Sequence, residues 1–130
     1  MKIKIEMEID LENVFITAIE GGSNYWCLFD ESSVMAVRNA VPRSVDACFS
    51  TACYTAVMEH KVRVPVYDVE DTGDEPIGWI DSSMFEERLT KMASDEGAKW
   101  ALEAEVDESG DAATSDCVFQ YLILGEVVYG

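Results

Sequence analysis

An α+β fold is predicted: a small, mostly antiparallel sheet packed by about four to five helices. Three observations lead there. Residues 2–9 alternate at period two, several later segments place apolar side chains three and four residues apart, and a turn-forming cluster separates two short runs of strand composition. The 130 residues make one domain, spanning 1–130, with 48% apolar residues and enough aromatics (five Phe, five Tyr, three Trp) to build a core without metals or disulfides.

Along the chain, Lys2, Lys4, Glu6 and Glu8 face one way and Ile3, Ile5, Met7 and Ile9 the other, the pattern of a half-buried strand. Asp10 can cap a helix carrying Leu11, Val14, Phe15, Ala18 and Ile19, and Gly21-Gly22 ends it, glycine taking a left-handed C′ conformation without a Cβ penalty. Tyr25 to Phe29 reads as a short strand, and 30–43 carries no clear period. Ser44 is the expected cap of a helix to Glu59, with Val45, Cys48, Phe49, Ala52, Ala56 and Val57 as its stripe. Val62, Val64 and Val66 alternate as a strand that Pro65 pushes to a sheet edge or bulge. Asp71-Thr72-Gly73-Asp74 then turns the chain so that Pro76 to Ile80 returns as the second arm of a hairpin. Asp81 caps a helix over 82–93, a short helix follows around Trp100, Ala101 and Ala104, and 111–124 is a last, largely buried helix stopped by Gly125.

Charge restricts function more than composition does. Nine basic residues against twenty-six acidic ones give −17, with seven acids and no base after Lys99. Such a chain repels phosphate, which excludes direct contact with nucleic acid or an anionic membrane surface and makes any electrostatic partner basic. No run approaches the roughly eighteen apolar residues of a membrane span. The start, Met1-Lys2-Ile3-Lys4-Ile5-Glu6, lacks a signal-peptide core, so a cytoplasmic protein with four reduced, buried cysteines (Cys27, Cys48, Cys53, Cys117) is expected. A homo-oligomer is compatible with all of this.

No catalytic or metal site is expected, nor any cofactor. Cys48 and Cys53 would point about 140° apart on a helix, and Cys27, Cys117 and His60 stand alone. His60 is better placed to cap the carbonyls of a helix end than to activate a nucleophile. Asp68-x-Glu70-x-Thr72-Gly73 imitates the start of a calcium loop but has Trp79 where a bidentate Glu is required. No phosphate-cradling or nucleophile-elbow motif is present, so the chain reads as a non-enzyme.

Two segments are distinctive: Glu20-Gly21-Gly22-Ser23-Asn24-Tyr25-Trp26, and the end of the chain, with Asp116, Val118, Gln120 and then Gly125-Glu126-Val127-Val128-Tyr129-Gly130. Gln120, set in an apolar helix, must find hydrogen-bond partners and can tie the last residues to a neighbouring turn. These segments resemble a family of small accessory proteins of bacteriophages, prophages and mobile elements. Members carry E-G-G-x-N-Y-W near the start, then D-V-x-x-Q and G-E-x-V-Y-G at the end. Here Cys117 separates the Asp from the Val, a departure from the pattern. The middle of the chain resembles the family poorly. The resemblance implies a setting, host cytoplasm, rather than an activity.

The function expected is therefore an acidic, non-enzymatic accessory protein that occupies a basic site on a host protein, in its most concrete form a mimic of nucleic acid that inhibits a defence system. The candidate contacts are two acidic rows: Asp68, Glu70, Asp71, Asp74 and Glu75, and Glu103, Glu105, Asp107, Glu108 and Asp111. The alternative is a small-ligand, nucleotide-like binding or sequestering protein with Gly22, Asn24, Tyr25 and Trp26 around its pocket; an anionic nucleotide would need basic groups, of which Arg38, Arg43 and Arg63 are the few available. Against both stands acidity that serves only solubility or salt adaptation.

Overall fold

The last helix, α6 (Ala112–Leu124), is the axis of the fold: nine of its thirteen residues are buried, the signature of a helix surrounded by other elements. The structure, a computed structural model, describes residues 1, 6–71, 73 and 75–130. The other elements are α1 (Leu11–Thr17), β1 (Cys27–Leu28), α2 (Glu31–Ala40), α3 (Phe49–Met58), β2 (Val64–Asp68), β3 (Gly78–Ile80), α4 (Phe85–Ala93) and α5 (Lys99–Val106), of which α1, β3, α4 and α5 pack directly on α6. The α+β architecture is as expected: among the described residues it is a three-stranded antiparallel sheet, ordered β1-β2-β3, with six α-helices where four to five were anticipated.

Both ends of α6 are anchored. Asp111 accepts from the Thr114 amide (3.0 Å) while the Thr114 hydroxyl accepts from the Asp111 amide (2.7 Å), closing a reciprocal cap. Gly125 ends the helix at φ 77°, where a side chain would be strained. From α4, Arg88 donates to the Leu122 carbonyl (2.8 Å) and Lys91 to the Gly125 carbonyl (2.9 Å), two cations at the negative end of the helix dipole. Phe15 on α1 packs edge-on against Tyr54, Phe85 and Phe119, and so joins α1, α3, α4 and α6 in one aromatic core.

Five expectations need correction. Of the strand over 2–9, residues 2–5 lie outside the described residues and 6–9 are irregular. The stretch 30–43 is mostly α2, capped by Asp30, whose carboxylate accepts from the Ser33 amide at 3.0 Å. The next helix starts at Phe49 instead of Ser44. Arg38 draws the carbonyls of Asp46 and Ala47 to its guanidinium (2.5 and 3.0 Å), the Asp46 carboxylate turns back to the Cys48 amide (3.0 Å), and Val45 is left in solvent. Of the four cysteines expected to be buried, Cys27 and Cys53 are, Cys117 is half-buried and Cys48 is exposed; all four thiols are free. Finally, Lys61, not His60, reaches the end of α3, donating to the Met58 carbonyl at 2.8 Å.

The sheet resolves the proline. β2 is its central strand, yet β1 pairs only with Tyr67 and Asp68, so at Pro65 the strand is an edge on that side. The Pro65 carbonyl faces that edge and accepts from the Ser33 hydroxyl of α2 (2.7 Å), and the missing N–H points the same way, where no strand needs it. On the other edge Gly78 lies so close to α6 that a Cβ there would stand 2.7 Å from the Ile123 side chain. That contact fixes the hairpin against the central helix.

Candidate functional site

The two distinctive sequence segments meet on α6. α1 runs into a wide turn, Ala18–Gly22, in which the Ser23 amide bonds the Ala18 carbonyl (2.9 Å). Gly21 sits at φ 177°, extended rather than left-handed, so the helix does not end on the glycine cap expected. What requires glycine is proximity: a Cβ on Gly22 would lie 2.9 Å from the Ala112 carbonyl at the start of α6. The turn thereby delivers Ser23, Tyr25 and Trp26 onto Asp116.

Asp116 is 5% exposed and accepts four hydrogen bonds. Oδ1 takes the Ser23 hydroxyl and the Trp26 indole N–H, each at 2.7 Å; Oδ2 takes the Tyr25 hydroxyl (2.5 Å) and the Gln120 amide (3.1 Å). A carboxylate offers about four lone-pair sites, and here all are filled by neutral donors. Gln120, fully buried, then acts as a piece of strand for the end of the chain. Its Oε1 accepts from the Val128 and Tyr129 amides (2.9 Å each) and its Nε2 donates to the Tyr129 carbonyl (3.0 Å). The expectation that Gln120 ties down the last residues is met. The Tyr129 ring stacks on Trp26 (5.2 Å between centroids, planes 8° apart) and its hydroxyl donates to Asp68 (3.0 Å). Asp116, at the hub of this network, was visible in the sequence only as one letter of a motif.

Of the four residues of the ligand-site alternative, Gly22 and Tyr25 border an open groove of about 640 Å3, Asn24 is exposed outside it, and Trp26 (1% exposed) is core. Trp26 therefore corrects the alternative: it is sealed beneath Tyr129 and offers a ligand no free surface. Of the three bases available to it, Arg38 is engaged on loop carbonyls and Arg63 on Asp81 (3.1 Å) and the Trp79 ring, while Arg43 is exposed.

The acidic rows divide into outward and inward members. Glu70, Asp71 and Glu75 stand exposed on the β2–β3 connection, Asp68 is half-buried against Tyr129, and Asp74 lies outside the described residues. In the second row Glu103, Asp107, Glu108 and Asp111 are exposed. Glu105 corrects the row: it is buried and accepts from the Thr114 and Ser115 hydroxyls (2.8 and 2.6 Å), holding the α5–α6 turn. Trp100 was missed as a site residue; at 51% exposed it borders the same groove as Tyr25, and its place in a short helix gave no sign of that. Among the described residues no three His, Cys, Asp or Glu side chains converge as metal ligands, and no helix is long and apolar enough to cross a membrane.

Protons report on the hub. Burial, then the hydrogen bond to and the charge of Asp116, push the Tyr25 phenol far above its ordinary value. Burial followed by Asp68 raises Tyr129, and burial alone pushes the Cys53 thiol up to about 12. These groups bind their protons more tightly folded than unfolded. Their contribution to stability is complete below the unfolded values, near 9 for a thiol and 10 for a phenol, and is lost as pH rises through the folded ones. We expect the urea midpoint to hold to about pH 9 and then fall steeply, with tyrosinate absorbance appearing together with unfolding. A midpoint as high at pH 11 as at pH 8 would contradict it.

Compared with protein-family models, curated proteins and solved structures, the chain matches none.

Proposed function

We propose that this protein is a non-enzymatic interaction protein whose acidic surface occupies a basic site on a partner. The supporting observation is how the few bases are used. Arg38, Lys61, Arg88 and Lys91 donate to backbone carbonyls, and among the described residues only Arg63–Asp81 and Lys99–Glu96 form ion pairs. Almost every described carboxylate of this −17 chain is thus without a cation of its own. Glu70, Asp71 and Glu75 on the hairpin, and Glu103, Asp107, Glu108 and Asp111 around the α5–α6 turn, are the contacts proposed. A rigid display of carboxylates competes for the Lys and Arg groove that otherwise takes duplex phosphates, at about one charge per 1.7 Å. Inhibition of a nucleic-acid-handling host defence protein by a phage-type accessory protein in the host cytoplasm is the form of this function that fits both the charge and the motif resemblance.

Tagged protein incubated with bacterial host lysate and eluted in salt steps tests the reading. The expected result is a nucleic-acid-handling protein that is released as salt rises and displaced by added DNA. Reversing Glu70, Asp71 and Glu75 to Lys, or the exposed acids of the second row, should each weaken that complex at least tenfold. A partner whose binding ignores salt, DNA and both variants would overturn it.

A further inference from the structure

The acidic surface explains attraction but not docking geometry, and one place on it is shaped to supply that geometry. The groove of about 640 Å3 runs over the N-terminal half of α6, with Trp100 of α5, Tyr25 and Tyr129 among its walls and Ala113 and Cys117 of α6 among its lining. Trp100 and Tyr25 are each about half exposed (51% and 49%), large aromatic surfaces that the fold itself does not cover. They are held rigidly. The Trp100 indole donates to the Gly97 carbonyl (3.1 Å), the Tyr25 hydroxyl is fixed on Asp116, and one face of Tyr129 is stacked on Trp26.

Among the described residues, the unpaired charges beside this groove are negative. Among the described residues of its lining, Asp116 is the ionisable carboxylate and there is no Lys or Arg. Exposed Asp111 precedes Ala112 and exposed Glu126 precedes Val127, both residues of the lining. Lys99, beside Trp100, is paired with Glu96 at 3.2 Å. Hydrogen bonds from neutral groups fill the lone pairs of Asp116 without cancelling its charge. The groove therefore offers a cation an electric field and aromatic faces, but no free carboxylate fork. Phosphate-bearing ligands, whose bases could stack on the same rings, are repelled.

We propose that this groove is the anchor site for an arginine side chain on the basic protein partner. Resting on the function proposed above, the assignment names the residue type that seats there. Arginine fits better than lysine because a planar, weakly hydrated guanidinium stacks on aromatic faces, whereas an ammonium needs acceptors that Asp116 no longer has.

Fluorescence anisotropy with a labelled Gly/Ser peptide bearing spaced arginines, and with its lysine counterpart, tests this on the intact protein at low salt. The arginine peptide should bind more tightly and quench tryptophan emission. Trp100→Ala should weaken it about fivefold to thirtyfold and erase the preference over lysine, and Trp100→Phe should restore part of both. Reversal of Glu70, Asp71 and Glu75 should leave the preference intact. If the hairpin reversal abolishes binding while Trp100→Ala does nothing, the groove assignment is wrong and the acidic-surface reading stands. Equal affinity for arginine peptide, lysine peptide and spermidine would also overturn the groove, as counter-ion condensation. No binding of either peptide would overturn both.

Discussion

Replacing Asp116 with Ala is expected to destabilise the protein by about 3–5 kcal/mol, a large part of the 5–15 kcal/mol typical of a domain. The magnitude follows from what is left behind. The Ser23 hydroxyl and the Trp26 indole N–H each lose a 2.7 Å bond at a buried site, and the Gln120 amide loses one of its acceptors while keeping the Tyr129 carbonyl. A buried donor without an acceptor costs about 1–3 kcal/mol. Asp116→Asn separates geometry from charge. It keeps the volume and one acceptor oxygen, but turns an NH2 towards either Ser23 and Trp26 or Tyr25 and Gln120, all of them donors to the carboxylate. A loss of about 2–3 kcal/mol is expected for it. Urea unfolding followed by Trp emission reads both variants. A loss below about 1 kcal/mol for the alanine would mean that water reaches the hub and that Asp116 does not hold the two segments together.

That hub shows what the sequence could and could not convey. The elements with strong local signals were legible: α6 with Asp111 and Gly125 at its ends, α4 behind Asp81, the hairpin arms around 64–68 and 78–80. α2 was not, because the α2 stripe is thin. Only Ser33 and Val37 are buried there, while Met35 points to solvent. The displaced start of α3 depends on Arg38, whose reach to the Asp46 and Ala47 carbonyls is a tertiary choice invisible to propensity. The functional residues follow the same division. Exposed acids on turns could be picked by composition, but Glu105 looked like its neighbours until Thr114 and Ser115 were seen to cover it. Trp26 and Tyr25 are adjacent aromatics with opposite fates, one in the core and one in the groove, because the Ser23 turn (Trp26 and Cys27 amides on the Ser23 carbonyl, 3.2 and 2.9 Å) points their side chains differently.

Gln120→Leu should release the end of the chain while leaving the helices in place, with a loss of about 2–4 kcal/mol. Leucine suits the apolar surroundings of α6 and a similar volume, so the effect comes from hydrogen bonds. The Val128 and Tyr129 amides and the Tyr129 carbonyl lose their partners on Gln120. Being near the surface, they recover water by peeling away, which keeps the loss below the sum of the bonds broken. Peeling removes Tyr129 from Trp26, forfeiting a stacked pair worth about 0.5–1.5 kcal/mol, and takes its hydroxyl off Asp68. Hydrogen exchange should show the Val128 and Tyr129 amides unprotected and Trp26 emission shifted to the red, while amides of α1 and α3 keep their protection. Persistent protection at 128 and 129 would refute the tether. Because Val127 and Tyr129 are walls of the groove whereas Glu70, Asp71 and Glu75 are not, this variant also dissects the binding surface. An arginine-anchored partner should lose affinity with it, and one held by the hairpin acids alone should not.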